Sequence, residues 1–275
     1  MNHIMKKLLL FCGLACLLAS CSKYQINTVS STTTKKDLNS GDFIFENDTL
    51  AIVYRFNGQN APLRIQIKNK LNDPLYIDWK RSSLIVKDQA INYMGNIIKI
   101  GGSFESSKDP LFSNLNYRTG TLDASATLPE ESSFIPPHAM IDKVLLNVTD
   151  NFLSVSDDMF QKRLAYSKKG DESFYVKSAA FTKDNSPLVF RSYLTIYIDK
   201  GKESKMIPSQ QEFYISESIQ TARSPKSTEF YMGDRSDVFY NSKTTGYGKV
   251  IALTAVVGVV GATAALTDAT KPKDK

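Results

Sequence analysis

The sequence predicts a mainly β protein: a single immunoglobulin-like or sandwich-type domain with loop insertions, followed by a hydrophobic, helical carboxy-terminal segment. Three observations lead there. Short apolar alternations recur between turn signals, as in FIFENDTLAIVYRF and LRIQIKNKLNDPLYIDW. Tyrosine (13) and phenylalanine (15) are frequent, and both suit a pleated, half-buried surface. The 42% hydrophobic content of the 275 residues is enough for one sizeable core, while the uncharged run VIALTAVVGVVGATAAL, residues 250–266, stands apart near the end.

The chain opens with MNHIMKK, the apolar run LLLFCGLACLLA, and SCSKYQ. Lys6 and Lys7 form a basic start, residues 8–18 a hydrophobic centre, and Ala19 and Ser20 the small residues of a cleavage site. Residues 1–20 therefore read as a secretory signal. Leu18, Ala19, Ser20 and Cys21 look like the lipobox of bacterial lipoproteins, in which the cysteine is thioether-linked to a diacylglycerol and becomes the acylated first residue. Cys21 is the expected lipidation site, and membrane lipid the expected partner. The alternative is an ordinary secreted chain with a chance cysteine at the cut. Cys12 and Cys16 fall inside the signal, so the mature chain is expected to have no disulfide, thiol catalysis or cysteine-bound metal.

Histidine is as scarce. His3 belongs to the signal, and His138 alone cannot build a paired metal site or a zinc-protease motif. A serine triad needs one histidine, but no GxSxG elbow accompanies it. Following Pro136 and Pro137, His138 is assigned to a turn. Losing Lys6 and Lys7 lowers the formal charge from +6 to +4, spread without a basic stripe, and nucleic acid is excluded as a partner on that ground. No cofactor or metal is expected.

Residues 21–41 have few large apolar side chains and many Ser, Thr and Lys, and read as a lipid-anchored flexible tether. The domain is placed at residues 42–222. Phe43 and Phe45, then Ile52, Tyr54 and Phe56, make two strands around the turn at Asn47, Asp48 and Thr49. Leu63, Ile65 and Ile67 form a third, and Leu75, Tyr76 and Ile77 follow Pro74. Further strands are expected at Leu84, Ile85 and Val86 and at residues 90–94.

The order FIFEND, then IVYRFNGQNAPLRIQIKNKLNDPLYIDWKRSSLIVKDQAINY, resembles the amino-terminal half of a family of Bacteroidetes lipoproteins with β-sandwich folds, over about residues 43–94, with a looser echo in IPPHAMIDKVLL. The resemblance implies a fold and a compartment and carries over no functional residues. Asp48, Thr49 and Leu50 resemble the Asp-Thr-aliphatic acceptor of O-glycosylation in Bacteroidetes, which implies Thr49 as a glycosylation site.

Residues 96–133, rich in Gly, Ser, Asn and Thr, read as a long loop with one short strand. Ser156 is placed as the cap of a helix through residue 167, with Asp157 and Asp158 in its first turn and Met159, Phe160, Arg163 and Leu164 at helical spacing. Residues 187–200 form the clearest long strand, with QEFYISES as its partner. Asp234 and Asp237 in GDRSD lack the calcium-loop pattern and read as a solvated turn. Trp79, Tyr76 and Tyr93 could stack on a sugar, but strand aromatics usually fill a core.

Residues 223–249 read as a polar linker and 267–275 as a charged tail. At ~1.5 Å per residue, residues 250–266 span about 25 Å, short of the ~30 Å hydrocarbon core. Ala255, Gly258, Ala262 and Ala265 align on one helical face that suits close helix packing. Three readings stand: an inner-membrane anchor, a self-associating helical tail, or a buried element of the fold. The function expected is non-enzymatic, a structural or interaction role in the bacterial cell envelope. The outer membrane is preferred to the inner and a periplasmic face to the surface, with a homo-oligomer or another envelope protein as partner. The alternative is a binding module for glycan or another extracellular ligand, to be favoured by an exposed aromatic platform on the sandwich.

Overall fold

A computed structural model of the chain describes residues 22–94, 99–107, 119–127, 130–199, 204–231, 233 and 235–244. The protein is mainly β, with sheets packed in a sandwich-like arrangement. Its strands are β1 (Ser22–Ser31), β2 (Lys35–Lys36), β3 (Phe43–Glu46), β4 (Leu50–Arg55), β5 (Gly58–Gln59), β6 (Pro62–Asn69), β7 (Leu75–Val86), β8 (Gln89–Asn92), β9 (Lys99–Ser107), β10 (Thr119–Thr127), β11 (Ser132–Ile135), β12 (Met140–Asn147), β13 (Gln161–Tyr166), β14 (Ser173–Ala180), β15 (Val189–Asp199), β16 (Ser204–Thr221) and β17 (Val238–Thr244). The large sheet runs β11-β7-β15-β16-β1-β17-β5, with β8 beside β7 and the β13–β14 pair joined to β16. A second sheet runs β12-β6-β4-β3-β2, and β9 and β10 form a separate antiparallel pair.

The predicted alternation explains the smaller sheet. Leu50, Ile52 and Tyr54 of β4 and Leu63, Ile65 and Ile67 of β6 are buried, and the residues between them are not. They meet Leu75, Ile77, Phe190, Leu194, Ile196 and Phe213 of the large sheet. Phe213 ties the layers together, with ring centroids 5.4 Å from Phe43, 5.1 Å from Tyr54, 5.0 Å from Phe56 and 5.5 Å from Phe190. Several of these contacts are edge-to-face, the geometry the ring quadrupole favours. The expected partnership of β15 with QEFYISES holds, in register from Val189↔Tyr214 to Asp199↔Ser204.

The amino-terminal reading needs correction. Residues 22–31 are not a tether but β1, an interior strand paired with β16 on one side and β17 on the other. Two of its four buried side chains, Gln25 and Asn27, are amides and only Ile26 and Val29 are hydrocarbon, which is why composition alone made it look unordered. Gln25 is fully buried and exchanges two hydrogen bonds with Leu153, donating to its carbonyl at 3.0 Å and accepting from its N–H at 2.7 Å. Asn27, also fully buried, donates to Asn241 of β17 at 3.3 Å. Asn241 in turn donates to the Asn60 side chain at 3.2 Å. The Gln25 amide is satisfied at both its oxygen and its nitrogen, whereas Asn27 is paired only through its N–H group, its Oδ1 having no hydrogen-bond partner.

The carboxy-terminal boundary moves for the same reason. Residues 223–249 include β17, whose Phe239 joins the main core, so 42–222 is not a self-contained domain. On the opposite face of the large sheet Ile26, Ala165, Val176, Ile219, Tyr231 and Val238 form a second, smaller core. A register shift between Thr28 and Val29 lets β1 and β16 serve both; a bulge of this kind reverses which side chains face in.

Two more expectations fail. The helix at Ser156 is only a 3-10 turn at Asp157–Met159, followed by β13, which pairs antiparallel with β14 and buries Ala165 while its other residues are exposed. Residues 96–133 contain two nine-residue strands rather than one short one. Residues 1–20, Cys21, the 250–266 segment with Ala255, Gly258, Ala262 and Ala265, and the 267–275 tail lie outside the described residues. Among the described residues, no helix is long and apolar enough to cross a membrane.

Candidate ligand-binding face

The three aromatics grouped in the sequence separate in the structure. Trp79 and Tyr93 are core residues: the indole N–H donates to Ser133 Oγ at 2.8 Å, and the Tyr93 hydroxyl to Ser192 Oγ at 2.7 Å. Burial pushes the Tyr93 phenol well above its usual range. Tyr76 points the other way. It alternates with the buried Leu75 and Ile77 and so projects from the outer face of the large sheet.

Strand register carries Tyr76 into a row. Phe134 of β11 lies opposite Tyr76 of β7, Tyr76 opposite Tyr197 of β15, and Tyr197 opposite Met206 of β16. Four large side chains thus cross four neighbouring strands, a row about 15 Å long at the ~4.8 Å spacing of paired strands. Phe134 is 51% and Met206 52% exposed, and the Tyr76 and Phe134 rings are 5.1 Å apart. A contiguous row of exposed and half-exposed apolar side chains is the kind of surface that marks an interaction site.

Polar groups border the row. A bend in β7 after Trp79 turns Arg81 across the sheet, where its guanidinium donates to the Tyr197 hydroxyl at 3.0 Å and lies 3.8 Å from the Asp78 carboxylate. The bend is fixed from below: the Ser82 hydroxyl donates to the Asp78 carbonyl and accepts from the Thr195 N–H at 2.9 Å, while the Thr195 hydroxyl donates to the Arg81 carbonyl at 2.7 Å. The Tyr197 hydrogen bond, and then the negative charge of Asp78, raise the Arg81 pKa above its usual value. Lys80 pairs with Glu131 at 3.3 Å. Tyr76 and Tyr197, the two middle members of the row, line an open groove of about 990 Å³ with these polar residues and Ser132, Asp199 and Ser204. Apolar ring faces flanked by matched donors and acceptors, with both charge signs present, suit a polar, uncharged ligand that has flat apolar patches.

Sequence reasoning found Tyr76 and missed Phe134, Tyr197, Met206 and Arg81. The alternations SSFI, TIYID and SKMIP carry the signal within each strand, but the row exists only once the strands are in register.

The other singled-out residues have structural roles. His138 sits in the predicted turn at φ 59°, its Nε2 2.8 Å from Asn72 Oδ1. Thr49 lies half-buried in the β3–β4 turn, where its N–H donates to Asn47 Oδ1 at 2.9 Å. Asp157 pairs with Lys177 at 3.3 Å, and the Asp158 carboxyl is held below its usual range chiefly by a hydrogen bond from the Ser156 side chain. Asp237 is not in a solvated turn: it is fully buried, held by Arg235 at 2.7 Å and by Lys36. Asp234 lies outside the described residues. Among the described residues, no group of three His, Cys, Asp or Glu could hold a metal ion.

Neither the protein-family models nor the curated proteins searched gave a match to this chain.

Proposed function

We propose that the chain is a lipid-anchored, non-enzymatic binding protein of the bacterial cell envelope, held to the membrane at Cys21 and meeting its ligand on the Phe134–Tyr76–Tyr197–Met206 row. The row is the observation that carries this reading. A row of three aromatic rings and a methionine, bordered by Arg81, Asp78 and the Lys80–Glu131 pair, suits the alternating apolar and hydroxylated faces of a neutral glycan. The lipobox-like Leu18-Ala19-Ser20-Cys21 and the resemblance to Bacteroidetes lipoproteins support the compartment. Association through Ala255, Gly258, Ala262 and Ala265 is the second reading, favoured by their 3, 4, 3 spacing in the sequence, which would put them on one face of a helix.

The test is a binding assay of the purified protein on insoluble peptidoglycan and, separately, on soluble envelope polysaccharide, which distinguishes a periplasmic ligand from a surface one. The protein is expected to bind one of them, and a Tyr76→Ala, Phe134→Ala double variant to lose at least tenfold in affinity, since stacking on each ring is worth about 1 kcal/mol. Equal binding by the variant, or no binding to either glycan, overturns the glycan reading. The anchor is tested apart: Cys21→Ser should abolish incorporation of labelled fatty acid.

A further inference from the structure

β1 and β17 pair in register from Ser22↔Thr244 to Thr28↔Val238. The described residues at Ser22 and Thr244 therefore lie side by side at one end of the large sheet, and Ser22 is the residue next to Cys21. A lipid on Cys21 would hold that end at the bilayer surface, because no spacer separates the acylated residue from the strand.

The same end carries a groove of about 480 Å³ on the sheet face covered by the segment after β12. Its walls are Phe152 and Phe160 from that segment, Tyr175 of β14 and the end of β16 at Gln220. Phe152 and Phe160 are half-buried and Tyr175 is 63% exposed, so an apolar surface faces the direction from which lipid would approach.

Lysines frame this opening. Lys23, Lys162 and Lys177 line it, and Lys243 stands opposite Lys23 in register. Like charges directly opposite on paired strands repel, and an anion relieves that repulsion. Lys162 Nζ lies 3.9 Å from the centroid of the Tyr175 ring. The acidic groups nearby are Asp157, which pairs with Lys177 at 3.3 Å, and its neighbour Asp158. The charge at the mouth is thus positive beside apolar walls.

We propose that this groove seats an anionic phospholipid of the membrane to which the protein is anchored, its phosphate at the lysine rim and part of an acyl chain against Phe152, Phe160 and Tyr175. The groove orients the domain on the bilayer, with the β1/β17 end down, while the lipid on Cys21 supplies the hold. Basic groups next to an inserted apolar element are the combination by which proteins bind anionic membrane surfaces. The location rests on anchorage at Cys21; the binding itself does not.

The experiment is vesicle flotation of the full chain carrying Cys21→Ser, using phosphatidylcholine vesicles with and without phosphatidylglycerol. The protein should float with the anionic vesicles, and binding should weaken as salt screens the lysines. Phe160→Asp and Lys23→Glu should each reduce the bound fraction about tenfold, while Tyr76→Ala on the separate aromatic row should leave it unchanged. A circular dichroism spectrum identical to the parent's establishes that each variant is folded. Equal flotation with neutral vesicles, unchanged binding in both groove variants, or competition by inorganic phosphate as strong as that by lipid overturns the proposal. Failure of the anchor reading appears elsewhere, as persistent fatty-acid labelling of Cys21→Ser.

Discussion

Asp237 shows how much a single buried charge can fix. Burial alone would raise its pKa, but hydrogen bonds from Arg235 and Lys36 outweigh that and hold the carboxyl below its usual range. Gly41, at φ 74°, lies so close that a Cβ there would be 2.3 Å from the Asp237 carboxylate, so the loop before β3 closes over the charge only because that position has no side chain. Because the folded pKa is depressed, the stabilisation from this group is present above the ordinary carboxylate pKa near 3.8 and is lost as pH falls through the lower folded value. Asp237→Asn would leave Lys36 and Arg235 facing a neutral amide. Since both cations are partly exposed, the expected loss is about 2–3 kcal/mol at pH 7, toward the lower end for breaking a buried pair. Urea denaturation at pH 7 and below pH 3.8 checks this: the variant should be weaker at pH 7, and its deficit should shrink only once the pH falls below the ordinary carboxylate value.

At the scale of elements, the legible strands are those whose buried side chains are hydrocarbon. β3, β4, β6 and β15 announce themselves by alternation, and their partners follow from turn length. β1 does not, because Gln25 and Asn27 occupy the inward positions that Ile or Leu would fill elsewhere. Its order comes from amide pairing with groups distant in sequence, Leu153 for Gln25 and Asn241 for Asn27, and no local window contains both partners. β13 was hidden differently: Met159, Phe160, Arg163 and Leu164 fit a helical period by chance, whereas the inward residue is the small Ala165. The amide pairing can be tested. Gln25→Ala should orphan the N–H and carbonyl of Leu153 and cost about 2–6 kcal/mol, at about 1–3 kcal/mol for each buried group left unpartnered. Gln25→Leu, which restores bulk but not hydrogen bonds, should recover less than half of that loss in a thermal or chemical denaturation series.

For the whole molecule, the sandwich closes only with both ends of the described chain inside it. Reading residues 42–222 as the domain leaves out β1 and β17, two adjacent interior strands of the large sheet, and with them Val29 and Phe239 of the core. The aromatic row was out of reach of the sequence for a related reason: its four members come from β11, β7, β15 and β16, and their juxtaposition is a property of the sheet. The two proposed faces lie on different parts of that sheet, the row across β11-β7-β15-β16 and the lipid groove at the β1/β17 end. A protein held at one and binding at the other would present its ligand face at a fixed attitude to the membrane, which a flexible tether would not allow.

That β1 is an interior strand beginning directly after Cys21 is the claim on which the rigid attachment depends. Amide hydrogen exchange across residues 22–31 of the full-length protein, read by mass spectrometry, tests it most directly. Residues 24–29 should exchange as slowly as those of β15 and β16, through global unfolding, because β16 and β17 flank the strand on both sides. Exchange at the rate of an unstructured chain would mean that the segment is a tether after all.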